Sequence, residues 1–298
     1  MTKHISPDKR SMPYGSSGAI SDPDAITHLN NFNLNLQSIF DDRQIIEKFC
    51  NRYKEWIAST KLNKYVGLED FKFVNYSQAT SESFDKFYMK NSKRRFRCFK
   101  GEYVYHQIAW RTGWPDWKFI EDEELDANDA VIISYPFADT GIKHAYHDKI
   151  LQLCTEKNIP VMLDLVFSGV SYDLVYDVSY PCITDIVFSL SKIFPLAYAR
   201  IGIRLTREDN DDTMFVYNKI NYNNKVGAAL GLHFIDKFDV DYVTNKYHAL
   251  QIEFCKQLDV CPSNTVFFGL GDDRWKEYNR GTDTNRLSFH KFLHTGVL

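Results

Sequence analysis

The chain has 298 residues, 44% of them hydrophobic and 25% charged, with a formal net charge of -3 and a pI near 6.3. That length and apolar content suffice for a sizeable core, most simply one large domain plus a smaller one, and the near-balanced charge points away from nucleic acid as a partner. No apolar run approaches the ~20 residues of a membrane span and the polar start lacks a signal-peptide core, so neither a membrane nor a secretory route is expected.

Residues 1 to about 30, rich in Ser, Gly, Pro and Asp (Ser11-Met12-Pro13-Tyr14-Gly15-Ser16-Ser17-Gly18), read as an extended arm or loop rather than a packed element, one that could cross a dimer partner or cover a site. From Asp41 to Ile57, apolar residues recur at three and four, which predicts a helix with an aspartate cap. Phe71 to Tyr76 alternates as a strand, and Ser77 to Phe87 follows as a turn opening a helix. Around Ala79, Thr80 and Ser81, free backbone N–H groups at that helix start would favour a phosphate, although a plain Thr80 or Ser81 cap fits equally. Asn75-Tyr76-Ser77 matches a glycosylation sequon by chance, since nothing else suggests secretion.

The basic run Lys93-Arg94-Arg95-Phe96-Arg97 and the acidic run Glu121 to Glu124, within the stretch from Trp110 to Asp129, both read as solvated surface. Between them Arg97 to Ile108 reads as a strand running into a helix. Ala130 to Pro136 and Ile159 to Asp164 are continuous apolar strands, with a helical stretch from Ala145 to Lys157 between them. This order implies a parallel βαβ unit, with ligands beyond the carboxyl ends of its strands. Asp164 ends the second strand at that edge; the alternative is a carboxylate capping a turn. Six scattered cysteines (Cys50, Cys98, Cys154, Cys182, Cys255, Cys261) have no metal spacing and read as reduced thiols of a cytoplasmic protein.

Asp185 to Gly202 holds the most informative pattern. Lys192 follows two small hydroxyl residues, Ser189 and Ser191, directly after an apolar strand, with Arg200 eight positions on. Burial at a strand end would lower the lysine pKa and free the neutral amine that a Schiff-base lysine needs. Ser189, Ser191 and Arg200 could together hold a phosphate. The alternative is a strand and loop with an ordinary surface lysine. Beyond it come a strand at Ile203 to Leu205, helices at Asn224 to Phe238 and Asp241 to Leu258, and strands at Thr265 to Leu270 and Thr284 to His290.

Ser-Leu-Ser-Lys, then Arg at plus eight and Ile-Gly, resembles the lysine segment of fold-type I pyridoxal-phosphate (PLP) enzymes, in particular class I/II aminotransferases. The resemblance spans roughly residues 70 to 290. It implies an α/β fold with a mostly parallel sheet and helices on both faces: an arm at 1–40, a large PLP-binding domain at 41–230 and a short α+β small domain at 231–298. It implies pyridoxal 5'-phosphate held by Ala79, Thr80, Ser81, Ser189, Ser191 and Arg200, with Tyr103 stacked on the ring and Asp164 at the ring nitrogen. Lys192 would be catalytic, Arg286 would bind the substrate carboxylate, and His106 falls where some relatives place a histidine behind the aspartate. A core aromatic at Tyr103 and a surface arginine at Arg286 are the plainer alternatives. Ala79 replaces a usual glycine. Ala138 and Phe167 replace the asparagine and tyrosine that commonly contact the phenolic oxygen of the cofactor. The implied activity is transfer of an amino group from an amino acid to a 2-oxo acid or other carbonyl acceptor, in a homodimer. Another PLP reaction (decarboxylase, lyase or racemase) and a non-catalytic protein of the same fold are the alternatives.

Overall fold

The structure is a computed structural model describing residues 12–109 and 117–298, so residues 1–11 of the expected arm and 110–116 of the stretch carrying the acidic run lie outside it. Helices α1 (Pro23–Asn30), α2 (Leu36–Asp41) and α3 (Ile45–Ala58) precede strands β1 (Lys64–Val66) and β2 (Phe73–Gln78). Helix α4 (Ala79–Lys90), β3 (Arg95–Cys98), α5 (Val104–Ala109), β4 (Trp117–Phe119) and β5 (Asp129–Ser134) follow. Next come α6 (His147–Glu156), β6 (Val161–Asp164), β7 (Val175–Asp177), β8 (Ile183–Ser189) and β9 (Ile201–Thr206). The chain ends through α7 (Thr213–Lys219), α8 (Lys225–Ile235), α9 (Tyr242–Leu258), β10 (Cys261–Pro262), β11 (Phe268–Gly271) and β12 (Asn285–Ser288).

Seven strands form one sheet in the order β2-β9-β8-β6-β5-β3-β4. All neighbours from β8 to β4 are parallel, while β9 runs antiparallel to both β8 and β2. The central strands are apolar on both faces, as a sheet covered twice requires. In β5, Val131 and Ile133 join one core with Phe49, Trp56, Ile150 and Leu151 of α3 and α6. Ala130 and Ile132 join another with Phe84, Phe87 and Tyr88 of α4. The strand period of two thus sends alternate residues under helices on opposite faces. A second, antiparallel sheet, β10-β11-β12, packs against α9, whose Gln251 Nε2 donates to the carbonyls of Ser263, Thr265 and Phe268.

The α/β architecture expected from the sequence is present, but several local expectations are corrected. The arm is not extended throughout: Asp22 caps α1 by accepting from Ala25 N at 2.8 Å, and Pro23 opens the helix. Asp41 does not cap α3, which starts after Gln44. The two charged runs are not both solvated. Arg97 is fully buried and pairs with buried Asp129 at 2.8 Å, and also donates to the carbonyls of Lys118 and Phe119. Arg95 bonds Glu123 and Asp129, so part of the acidic run clamps the basic one. Among the described residues, no helix is long and apolar enough to cross a membrane, and all six cysteines are free thiols.

Candidate active site

A cavity of about 410 Å³ opens at the carboxyl ends of β5, β6 and β8. Of the residues singled out in the sequence, Ala79, Thr80, Ser81, Tyr103, Asp164, Ser191, Lys192, Arg200 and Arg286 all line it. Ser189 does not. It lies beneath, donating to Ile201 O at 3.0 Å, with its Oγ 2.9 Å from Ser191 Oγ. Gly15 to Gly18 of the N-terminal segment close one side.

Lys192 follows the end of β8 and donates from Nζ to Ser17 O at 2.8 Å. Burial, with Arg286, Arg280 and Arg200 nearby, lowers its pKa to about 8 against the opposing pull of Asp164. Asp164 ends β6 and accepts from Val166 N at 3.1 Å. Burial pushes its carboxyl up to about 7, with a further push from the Glu102 charge.

At the other end, Arg200 and the start of α4 are locked together. Arg200 Nη2 donates to Ser81 Oγ at 2.6 Å, and Ala79 N donates to Arg200 O at 3.2 Å. Ala79 has φ 57 and Arg200 φ 55, so both occupy the left-handed region. This accounts for the glycine usual at the first position. Gly202 permits the close approach: a Cβ there would stand 2.6 Å from Phe188 O and 3.1 Å from the Ala79 Cα. The α4 start, Ser81, Ser191 and Arg200 form a donor-rich corner suited to a phosphate.

The opposite end of the cavity is built on β12. Arg286 is buried, donates from Nη1 to Ala138 O at 2.5 Å and lies 4.2 Å over the Phe268 ring. Its Nε and Nη2 have no partner among the described residues. Two buried, unmatched donors on a planar fork are what a carboxylate would satisfy. Ala138 and Phe167 also line the cavity, and neither brings a side-chain donor.

His106 does not bond Asp164. Its Nδ1 meets Tyr88 Oη at 2.5 Å, and its Nε2 has no partner among the described residues. The carboxylate near Asp164 is instead Glu102, which the sequence reading passed over although it directly precedes Tyr103. Also missed were Arg280, which pairs with buried Asp139 at 3.3 Å, and Ser134 at the end of β5. Asp139 was within reach of sequence reading, since it stands in the same altered segment as Ala138.

No protein-family model and no curated protein matches the chain. Solved structures do. The aromatic aminotransferase from Pyrococcus horikoshii superposes with a TM-score of 0.64 at 12% identity, over 94% of this chain and 90% of that one. The histidinol-phosphate aminotransferase from Clostridium acetobutylicum gives 0.65 at 16% identity, over 92% and 93%. The aspartate aminotransferase from Thermotoga maritima gives 0.63 at 14%, over 94% and 88%. The chain therefore has the fold of the fold-type I PLP-dependent aminotransferases.

Proposed function

We propose that this chain is a PLP-dependent aminotransferase that moves an amino group from an amino acid to a 2-oxo acid or other carbonyl acceptor. The observation that carries this reading is the convergence of Lys192, Asp164, Arg200 and Arg286 on one cavity at the strand ends. The donor set fits the cofactor at each end: a phosphate corner, a carboxyl for the ring nitrogen, and an amine between them. When bound, pyridoxal phosphate supplies an electron sink for the bond being broken.

Each side chain then takes a role in this reading. The α4 start, Ser81, Ser191 and Arg200 would hold the phosphate, with Ser189 fixing Ser191 from below. Tyr103 would cover one ring face, and Asp164 would keep a proton at the ring nitrogen. Lys192 Nζ, with its lowered pKa, would anchor the cofactor and, as general base and then acid, would move a proton from the substrate carbon to the cofactor carbon. Arg286 orients the substrate carboxylate through its two unmatched N–H groups.

A second PLP reaction, decarboxylation, elimination or racemisation, is favoured by one observation: Ala138 and Phe167 offer no donor to the phenolic oxygen. We further place the protein in the cytoplasm, supported by its free thiols, and as a homodimer. Tyr198, fully exposed beside the cavity loop, and the exposed Ile220 and Tyr222 support an apolar subunit contact. A solution mass near 34.8 kDa, that of a single chain, would remove the dimer.

The test is the visible spectrum of the purified protein with added pyridoxal phosphate and candidate amino donors. The expected band near about 420 nm should be fixed onto Lys192 by borohydride and bleached toward the pyridoxamine form by one donor. A colourless protein defeats the reading. Release of CO₂ or racemisation without pyridoxamine supports the second reaction.

A further inference from the structure

Gly101, at φ 89, reverses the chain immediately before Glu102, and a Cβ there would stand 2.6 Å from the Thr282 side chain. The turn sends the Glu102 carboxylate inward, where it is buried and accepts three hydrogen bonds. They come from Ser134 N at 2.8 Å, Ser134 Oγ at 2.5 Å and Tyr103 N at 3.3 Å. Ser134 pairs in register with Asp164 across β5 and β6, so the residue that holds Glu102 also stands beside Asp164. Among the described residues, the Asp164 carboxyl accepts one N–H, from Val166. The Glu102 charge acts on Asp164 and disfavours its ionisation, and the carboxyl with more donors keeps the charge.

We propose that Glu102 is a positioning residue, an anionic second carboxylate whose charge holds a proton on Asp164, so that Asp164 meets the ring nitrogen of the cofactor as a proton donor. The proposal rests on the PLP reading above. The step balances simply: the proton leaves an Asp164 carboxyl oxygen for the ring nitrogen, both carboxylates are then negative, and nothing is oxidised. The second negative charge strengthens the hold of the ring on its proton beyond what one aspartate supplies. Burial raises each carboxyl to about 7, which places the titration of both in the physiological range. The other groups facing the pair are Lys192, which opposes the rise at Asp164, and Glu121, which adds to it at Glu102. Cys98 and Tyr88 are held neutral by burial.

Carboxyl-carbon NMR of the full chain, labelled in aspartate and glutamate and free of cofactor, reads the pair directly. At the aspartate carboxyl carbon whose signal is lost in Asp164→Asn, a step near pH 7 is expected that moves down by about one pH unit in Glu102→Gln, while Glu102→Asp keeps it. Should Glu102→Gln fail to fold, Ser134→Ala, which withdraws a hydroxyl from the Glu102 anion, is expected to raise the pH of the step read at the Glu102 carboxyl carbon. An Asp164 step unmoved in Glu102→Gln, or a Glu102 step unmoved in Ser134→Ala, overturns the proposal. With ring-labelled ¹⁵N pyridoxal phosphate bound, Glu102→Gln should lower the nitrogen pKa by about one unit, and no change there is equally fatal. Failure of the wild-type chain to take up pyridoxal phosphate defeats the cofactor reading and the role toward the ring, while the carboxyl titration still decides the pair.

Discussion

Lys192 Nζ donates to Ser17 O at 2.8 Å, which ties a lysine at the end of the central sheet to a segment 175 residues earlier. The amine is therefore held across the cavity, between the sheet edge and the N-terminal loop. Its surroundings are cationic as well as buried, and both effects disfavour the ammonium. Capture of pyridoxal phosphate requires the neutral amine. The capture rate, followed as borohydride-trapped product, should rise about tenfold per pH unit below the lysine pKa and level off above about 8. A rate still rising at pH 10 would mean that the lysine titrates as if exposed.

Ala79 and Gly202 make opposite predictions at one contact. Ala79 is in the left-handed region, where a Cβ costs about 1 kcal/mol, so Ala79→Gly should stabilise the chain by about 0.5–1 kcal/mol. Gly202→Ala places a Cβ 2.6 Å from Phe188 O, where backbone must give way, and should cost about 2 kcal/mol or more and weaken phosphate binding. Urea midpoints of the two variants check both signs. A destabilised Ala79→Gly would show that packing of the methyl group outweighs the backbone strain.

Arg97 and Asp129 form a fully buried ion pair inside the sheet, at 2.8 Å with neither side chain exposed. Removing one partner strands a guanidinium among carbonyls. Asp129→Ala should therefore cost about 3–5 kcal/mol, whereas Glu123→Gln, at the exposed end of the same cluster, should cost less than about 1 kcal/mol. Equal losses in denaturant melts would contradict the division between buried and surface pairs.

The difference between what the sequence discloses and what it hides follows from range. Strands β5, β6 and β8 are legible because their apolar runs are continuous, and Lys192, Asp164 and Arg200 are legible because each keeps a fixed relation to a strand end. The pairing of Arg95 and Arg97 with residues 123–129 is not, since a charged run looks alike whether solvated or clamped until its partner strand is placed. Asp22-Pro23-Asp24 was readable as a helix start, a capping residue before a proline, but the surrounding serines and glycines suggested a loop. Glu102 and Arg280 were hidden for another reason. Their inward aim depends on a backbone reversal at Gly101 and on the β12 end of the small sheet, neither of which leaves a periodic trace.

Phe167 offers the sharpest test of the altered oxygen contacts. Its ring lines the cavity and meets the edge of Phe268 with centroids 5.4 Å apart, so a hydroxyl added at its tip stays within the walls of the site. If the missing donors at 138 and 167 leave the phenolic oxygen poorly stabilised as the anion, restoring one should lower the pH at which the visible band of the bound cofactor changes. Phe167→Tyr is expected to move that transition down by about one unit, and Ala138→Asn, which restores an amide donor, should act in the same direction. Spectra recorded from pH 5 to 10 read the shift without any turnover. No movement in either variant would show that the phenolic oxygen is already satisfied by another group, and the reason for favouring a second PLP reaction would disappear with it.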